Sequence, residues 1–240
     1  MISEIYLKVY NMTEFEKYAR GHCGVSSLKL HDYQSIITNG SGGSSVPQPV
    51  ILEEHEIKAT AIDVFSRLLI DRIIVLGTPI YEDAANIVMA QLMFLNAQDN
   101  KKPIQIYINS PGGSVVDGLQ IYDMMQLIKA PVQTVCTGMA ASMAAILLAG
   151  GEKGMRGALP NSEIMIHQVL GGAIGQAADV RIASEQIQKT QEKLARLLAT
   201  DTNKDFDVVM KDMDRDNWMT SDEAMQYGLI DKVFVGKGLL

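Results

Sequence analysis

The chain has 240 residues, a formal net charge of −7 and an apolar share of 47%. This length suits one large domain or two small ones, and the apolar share excludes a largely disordered protein. The acidic balance argues against a general nucleic-acid binder and against adhesion to anionic lipid, because both need an excess of Lys and Arg. The sequence holds two cysteines, Cys23 and Cys136. They are too few for a disulfide framework or a multi-thiolate zinc site, and they fit a reducing, cytoplasmic environment.

The first 50 residues differ in composition from the rest. They end in a stretch rich in Gly, Ser and Pro, residues 39–49, which predicts a linker. A short helix is predicted around residues 12–20. The start of the chain has neither the basic and apolar runs of a signal peptide nor the low acidic content of a transit peptide. We therefore expect an N-terminal extension over 1–50 and one main domain over 51–240.

Strand-like and helix-like segments alternate from about residue 57 onwards, which predicts parallel βαβ units in an α/β domain. Whether the strands form one doubly wound sheet or a spiral stack stays open. The uncharged stretch between Lys129 and Glu152 predicts a buried strand and a buried helix, since its apolar part is shorter than the ~20 residues of a membrane helix. Asp83 is the predicted N-cap of the first body helix. The predicted strands are 71–77, 103–110, 132–138, two short runs within 153–168, and 229–235; the predicted helices are 83–98, 118–129, 140–151, 177–199, and a short one that a Thr220–Glu223 capping box opens and Gly228 ends.

One histidine, His167, lies in the α/β body, because the other three fall within the first 55 residues. It is the body's candidate for proton transfer near neutral pH, or else a histidine whose hydrogen bonds are satisfied in the core. Ser142 lies where the strand 132–138 gives way to the next helix. A helix N-terminus favours developing negative charge, and the neighbouring alanines leave room for a substrate. Ser142 could equally be a small packing residue, and the G-x-S-x-G motif is absent.

The segment NSPGGS, residues 109–114, follows a strand directly. Pro111 stops the strand, and Gly112 and Gly113 permit positive φ angles and close backbone approach. Such a turn can aim N–H groups at an oxyanion, or it can be a plain turn or a phosphate nest, although no phosphate-binding motif is present. The acidic run 212–216 holds three aspartates, one of which could orient the imidazole. Spacing alone does not choose among the three.

Four segments in this order resemble the family of Clp protease proteolytic subunits (ClpP), over about 51–235. The resemblance implies a spiral of βαβ units, of the kind shared with crotonases, and a protruding long helix called the handle, about 171–199. It also implies a serine endopeptidase that hydrolyses unfolded proteins fed by an ATPase, and short peptides without ATP. The segments are NSPGGSV, GMAASMAA, MIHQVLGG and DRDNWMTSDEAMQYGLID, preceded by DVFSRLLIDRIIVLG.

The resemblance assigns a role to each candidate side chain. Ser142 would be the nucleophile, His167 the general base, and Asp216 the carboxylate that orients His167. The N–H groups of Gly113 and Met143 would form the oxyanion hole. The implied substrate-binding residues are Gly112, Gly113 and Leu170.

The resemblance also implies an assembly and a partner. The handle would join two stacked heptameric rings of this chain, and Arg215 would form ion pairs between the rings. Tyr107 matches a position in the cleft where a hexameric AAA+ Clp ATPase docks, whereas Gly157 replaces an aromatic residue that is usual there. Residues 1–50 would be a propeptide or an axial segment. No cofactor, metal, nucleic acid or membrane is expected.

Two other functions remain open from the sequence. One is an acyl-CoA hydratase or isomerase on the related spiral fold, in which the oxyanion hole would bind a thioester and carboxylates would replace the triad. The other is a non-catalytic ring subunit, against which the presence of Ser142, His167 and Asp216 argues.

Overall fold

The computed structural model describes Gly21, residues 50–55 and residues 58–236. The predicted helix over 12–20 and the linker over 39–49 lie outside the described residues, as does Cys23. Within the described ranges, no helix combines the length and the apolar character that a membrane crossing requires.

The body begins with an antiparallel pair of strands that the sequence analysis did not predict. The strands β1 (Val50–His55) and β2 (Lys58–Asp63) pair in register from Val50 opposite Asp63 to His55 opposite Lys58. The helix α1 (Val64–Ile70) follows at once. It starts where it does because the Asp63 side chain accepts a hydrogen bond from the N–H of Ser66, at 3.0 Å.

The main sheet is built around one long strand, β5 (Val132–Ala141), and most strand pairs of the sheet are parallel. β3, β4 and β5 lie side by side, and β5 then pairs with two different strands along its length: β6 opposite Thr134–Cys136 and β7 opposite Met139–Ala141. β9 continues the sheet beside β6, and β8 pairs with β7 in the antiparallel direction. The predicted α/β domain of parallel βαβ units is confirmed, with the β7–β8 pair as its antiparallel exception. The strands are β3 (Ile73–Leu76), β4 (Ile104–Ser110), β5 (Val132–Ala141), β6 (Arg156–Ala158), β7 (Glu163–Ile166), β8 (Asn217–Thr220) and β9 (Lys232–Val233).

The predicted helices of the body are present and differ from the structure at some ends, whereas α1 and the helix Phe206–Asp212 were not predicted. The first long helix has Tyr81 at its N-cap without a side-chain bond, so the prediction of Asp83 as N-cap is wrong; Asp83 lies in the first turn instead. The capping box of Thr220 and Glu223 is confirmed, and Gly228 ends that helix in the left-handed conformation, at φ 98°. The helices are α2 (Glu82–Gln98), α3 (Val115–Leu127), α4 (Met143–Ala149), α5 (Ala177–Thr202), α6 (Phe206–Asp212) and α7 (Ser221–Tyr227).

The core lies around α4, whose seven residues are all buried. This explains its composition, because a helix surrounded by sheet and helices has no polar face. The helix starts at Met143 and not near Ala140, since β5 continues to Ala141. The long helix α5 differs: its buried residues are confined to its C-terminal part, from Leu194 onwards.

Candidate active site

Ser142 occupies a sharp turn between β5 and α4. Its backbone angles, φ 56° and ψ −125°, lie in a region that residues other than glycine avoid, and such strain persists only where the surroundings enforce it. Here its N–H donates to the carbonyl of Met165 at 2.8 Å, and its carbonyl accepts from the N–H of Ala145 at 3.0 Å. The turn is therefore pinned to β7 on one side and to the first turn of α4 on the other.

This geometry is that of a nucleophile elbow, although the G-x-S-x-G motif is missing. In that motif the glycines stand two residues before and two residues after the serine. Here the same positions hold Ala140 and Ala144, both with 0% exposure. The tight turn needs small residues at these positions, and alanine is small enough. A search for any small residue at these two positions would have found the elbow.

His167 and Asp216 are brought together by the β7–β8 ladder. Its last pair is Ile166 opposite Asn217, so His167 and Asp216 are the next residues on the two facing strands. The Nδ1 atom of His167 lies 3.1 Å from Oδ1 of Asp216, and its Nε2 atom lies 2.8 Å from Oγ of Ser142. Since a carboxylate accepts hydrogen bonds, the arrangement favours a proton on Nδ1, which leaves Nε2 to accept the serine hydroxyl.

The structure thus distinguishes the three aspartates that spacing alone left open, and it places the one that the resemblance implied beside His167. Asp216 contacts the imidazole, whereas a carboxylate oxygen of Asp212 accepts from the hydroxyl of Tyr227 at 3.0 Å. The backbone carbonyl of Asp214 accepts from the side chain of Gln168 at 2.7 Å, and its N–H donates to the carbonyl of Lys211 at 3.2 Å. Asp212 is the last residue of a helix and Asp216 directly precedes β8, so the two lie close together in sequence. The β7–β8 ladder places only Asp216 opposite His167.

The glycine turn lies against the serine. Ile80 donates to the carbonyl of Gly112 at 2.8 Å, and Ser114 donates to the carbonyl of Ile80 at 2.9 Å. These two bonds form a parallel bridge between Ile80 and Gly113. In such a bridge the N–H and C=O of Gly113, the middle residue, point away from Ile80. Gly112 has φ 88°, and a Cβ atom there would lie 2.8 Å from the Cβ of Ser142. Only glycine permits this approach.

Two backbone donors border the serine. The N–H of Met143 belongs to the first turn of α4, where intrahelical acceptors are absent. Neither this group nor the N–H of Gly113 donates a hydrogen bond to another of the described residues. The N–H of Gly112 donates to Oγ of Ser110, at 3.2 Å, so both of its polar backbone groups are bonded within the chain.

A cavity of about 280 Å³ opens beside Ser142 and His167. Its lining includes Leu170, which is 80% exposed. Most of the other lining side chains are apolar, and the sequence analysis did not identify them, because they come from separate elements and share no local motif. They include Val115, Ile146, Met165, Val169, Leu194 and Met213.

The remaining predicted residues lie away from this cavity. Arg215 is exposed, and its guanidinium donates to the neighbouring carbonyl of Asp214 at 3.4 Å. The hydroxyl of Tyr107, on β4, donates to Gln105 at 3.1 Å, and burial raises the pKa of this tyrosine. The ring of Phe234 occupies the space that a side chain at Gly157 would need. Phe234, the residue directly after β9, therefore lies beside Gly157.

Comparisons with known proteins identify the family. Residues 55–237 match the family described as Clp protease. The chain is 50% identical over 226 residues to an ATP-dependent Clp protease proteolytic subunit of Bacteroides thetaiotaomicron, which covers 94% of this chain and 100% of the relative. It is also 50% identical to the protein of that name from Porphyromonas gingivalis, over 92% of this chain and 97% of the relative.

The match to the Bacteroides thetaiotaomicron protein is longer than the segment from residue 51 to the end of the chain. The N-terminal residues are therefore shared with that relative at least in part. The resemblance predicted from the four sequence segments is confirmed: the chain belongs to the Clp protease family of serine proteases.

Proposed function

We propose that this chain is the proteolytic subunit of an ATP-dependent Clp protease, with Ser142, His167 and Asp216 as its catalytic triad. The observation that carries the proposal is the continuous hydrogen-bonded chain from Oγ of Ser142 through His167 to the carboxylate of Asp216, with distances of 2.8 Å and 3.1 Å. An unactivated serine hydroxyl is a weak nucleophile near pH 7, and this arrangement supplies the base it needs.

The proposed reaction is acyl transfer through the serine. Nε2 of His167 takes the proton of Ser142 as Oγ attacks the peptide carbonyl, and then gives it to the leaving amine. Asp216 holds the proton on Nδ1 and stabilises the imidazolium that forms. Nε2 of His167 then takes a proton from a water molecule as it attacks the acyl-enzyme. His167 returns this proton to Oγ of Ser142, which releases the second product and restores the serine.

The N–H groups of Met143 and Gly113 form the proposed oxyanion hole. Both border the cavity beside Ser142, and a preorganised donor of this kind is worth about 3–4 kcal/mol of transition-state stabilisation. Neither amide has to abandon an internal bond within the described residues when the tetrahedral oxyanion forms. The helix N-terminus at Met143 adds a favourable dipole.

An extended peptide is the proposed substrate. The N–H and C=O of Gly113 face away from Ile80, so a substrate strand can add there by backbone hydrogen bonds, while the apolar cavity receives one of its side chains. Recognition through the backbone accepts many sequences, and the cavity favours an apolar residue at the cleavage site. Gly112, which has no side chain, leaves room for the substrate backbone beside Ser142, and Leu170 covers apolar substrate surface.

The exposed start of the handle supports assembly. Ile174 and Ile182 are 105% and 62% exposed, and apolar side chains of this size in a projecting segment favour burial against a second copy. We propose two stacked heptameric rings, with Arg215 in ion pairs between them, and a hexameric AAA+ Clp ATPase as the partner that delivers unfolded proteins in the cytoplasm. Residues 1–50 form an extension to the proteolytic domain of residues 51–240.

The test replaces Ser142 by alanine and measures hydrolysis of a short fluorogenic peptide. We expect Ser142→Ala to lose turnover by about 10⁴-fold or more and to lose labelling by a fluorophosphonate probe, while the oligomer keeps its size. The matched control, Ser66→Ala on α1, should keep both. Peptide turnover that survives in Ser142→Ala overturns the proposal. A chain that takes no label and hydrates an enoyl thioester indicates the acyl-CoA enzyme, and one that stays unlabelled with every partner indicates a non-catalytic subunit.

A further inference from the structure

The carboxylate end of the triad has little around it to hold it. The side chain of Asp216 is 62% exposed, whereas that of His167 is 14% exposed. The hydrogen bond to Nδ1 of His167 is the one that this carboxylate makes among the described residues. An exposed aspartate loses rotamer and loop freedom when it is fixed, so its position depends on how firmly its backbone is anchored.

The β7–β8 ladder anchors that backbone on one side only. The ladder ends at Ile166 and Asn217, and among the described strands β8 pairs with β7 alone, at the edge of the sheet. Beyond the ladder, the two segments that carry His167 and Asp216 form no further backbone hydrogen bonds with each other within the described residues. Two strands that leave a ladder are free to separate unless another bond ties them.

Gln168 supplies a bond of this kind. Its Nε2 donates to the backbone carbonyl of Asp214 at 2.7 Å, from the residue directly after His167 to the residue two before Asp216. The His167–Asp216 pair therefore lies between the ladder on one side and this side-chain bond on the other. The segment that carries Gln168 is itself held, because the N–H of Val169 donates to Oε1 of Gln191 on α5, at 2.6 Å.

We propose that Gln168 is a positioning residue of the triad, which keeps the carboxylate of Asp216 within reach of Nδ1 of His167 by holding the backbone of Asp214. This inference rests on the proposed function. Gln168 touches neither reacting atom in this role, and it acts through Asp216. Loss of its amide donor lets the 214–216 segment move, and displacements of about 1 Å in a catalytic group cost up to about 100-fold in rate.

The test uses Gln168→Met, which keeps the length of the side chain and removes the donor. We expect kcat for a fluorogenic peptide to fall about 10- to 100-fold, with KM within about twofold, because the chemical step is impaired and the cavity keeps its shape. The KM readout is needed since Gln168 also borders the cavity. The matched control is Gln126→Met: Nε2 of Gln126 makes the same type of bond, to the carbonyl of Gly150 at 2.8 Å, at the opposite end of α4 from Ser142. Its kcat should stay within about twofold of the unmodified protein.

A double-mutant cycle separates positioning from general damage. If Gln168 acts through Asp216, Gln168→Met added to Asp216→Ala should leave the rate of fluorophosphonate labelling of Ser142 within about twofold of Asp216→Ala alone. An additional loss of tenfold in that background overturns the inference, as does an unchanged kcat in Gln168→Met or an equal loss in Gln126→Met. Should Gln168→Met fail to fold or assemble, Gln168→Glu keeps the shape and replaces the amide donor by a carboxylate, and an unchanged kcat there overturns the inference equally.

The outcomes also distinguish this inference from the function on which it rests. Turnover that survives in Ser142→Ala overturns the triad itself. Labelling of Ser142 together with an unchanged kcat in Gln168→Met leaves the triad standing and removes only the positioning role.

Discussion

The two ends of the hydrogen-bonded triad are held in opposite ways. Ser142 lies between a buried strand and a helix of which every residue is buried, and its strained backbone is bonded on both sides. Asp216 lies in a short connection between α6 and the edge strand β8, with 62% of its side chain exposed. Ser142 is therefore fixed by packing, and the carboxylate of Asp216 is fixed by a few hydrogen bonds.

This difference predicts that the geometry at Ser142 and the geometry at Asp216 respond differently to substitution. A closely packed core resists small displacements, so the geometry at Ser142 belongs to the folded chain itself. Residues 214–216 are all exposed, and exposed segments are typical of regions that open at low free-energy cost. We therefore expect substitutions near Ser142 to act through packing and strain, and those near Asp216 to act on alignment.

Among substitutions that leave the three triad side chains in place, the largest effect is expected from Gly112→Ala, which disturbs the packed end directly. A Cβ atom at this position meets the carbonyl of Ala141 and the Cβ of Ser142, and φ is 88°. We expect kcat/KM for a fluorogenic peptide to fall about 10³-fold, because both Ser142 and the proposed oxyanion donors beside it are displaced. The matched control is Gly154→Ala: Gly154 has φ 85° but nothing within 4 Å of a Cβ atom, so it carries the same backbone strain in open space. Equal losses in the two variants would show that strain, and not the contact with Ser142, is responsible.

The next effect concerns the other end of α4, where a buried ion pair holds the helix. The side chain of Arg156 is 6% exposed, lies 2.6 Å from Asp231 and donates to the carbonyl of Ala149, the last residue of α4. Arg156→Met should lower the free energy of unfolding by about 3 kcal/mol, since it leaves a partly buried carboxylate without its partner. Urea denaturation measures this, with the exposed Lys129→Met expected within about 0.5 kcal/mol of the unmodified protein. A stability change below about 1 kcal/mol in Arg156→Met would contradict the assigned role.

The smallest effect is a pH dependence in the same cluster. Burial raises the pKa of Asp201 to about 6, against the favourable influence of the Tyr122 hydroxyl, Arg156 and Lys153. The unfolded pKa is about 3.9, so the folded protein binds more protons between these values, and the contribution to stability is lost as the pH rises through about 6. A shift of two units is worth about 3 kcal/mol in full, and partial exposure reduces this to about 1 kcal/mol.

Urea denaturation of Asp201→Asn at pH 4 to pH 8 tests this sign. The stability of the unmodified protein relative to Asp201→Asn should decline over that range, because asparagine does not ionise. Tyr122→Phe removes a donor that favours the carboxylate, at 3.0 Å, and should move the decline to higher pH. A relative stability that stays constant or increases with pH would be inconsistent with a raised pKa.

The sequence predicted the body of the fold better than its edges. Helical spacing located α2, α3 and α5 to within a few residues, and β-branched runs located β3 and β4, because these long elements face a common core with a regular period. The antiparallel pair β1–β2, the helices α1 and α6 and the strand β8 were not predicted. These elements are short, and β8 is defined by its partner β7 more than by any pattern of its own. The wrong N-cap at Asp83 arose because a capping residue and a first-turn acid are alike in sequence.

The sequence by itself determined which residues could do chemistry, since one histidine in the body, a serine among alanines and a pair of glycines after a strand are local facts. Only the tertiary structure decided how they meet. The ladder of β7 and β8 selects Asp216 from three aspartates, because pairing fixes which residue lies opposite His167. The packing of α4 against β5 turns Ser142 into an elbow without the usual glycines, because small buried neighbours at Ala140 and Ala144 satisfy the same steric limit.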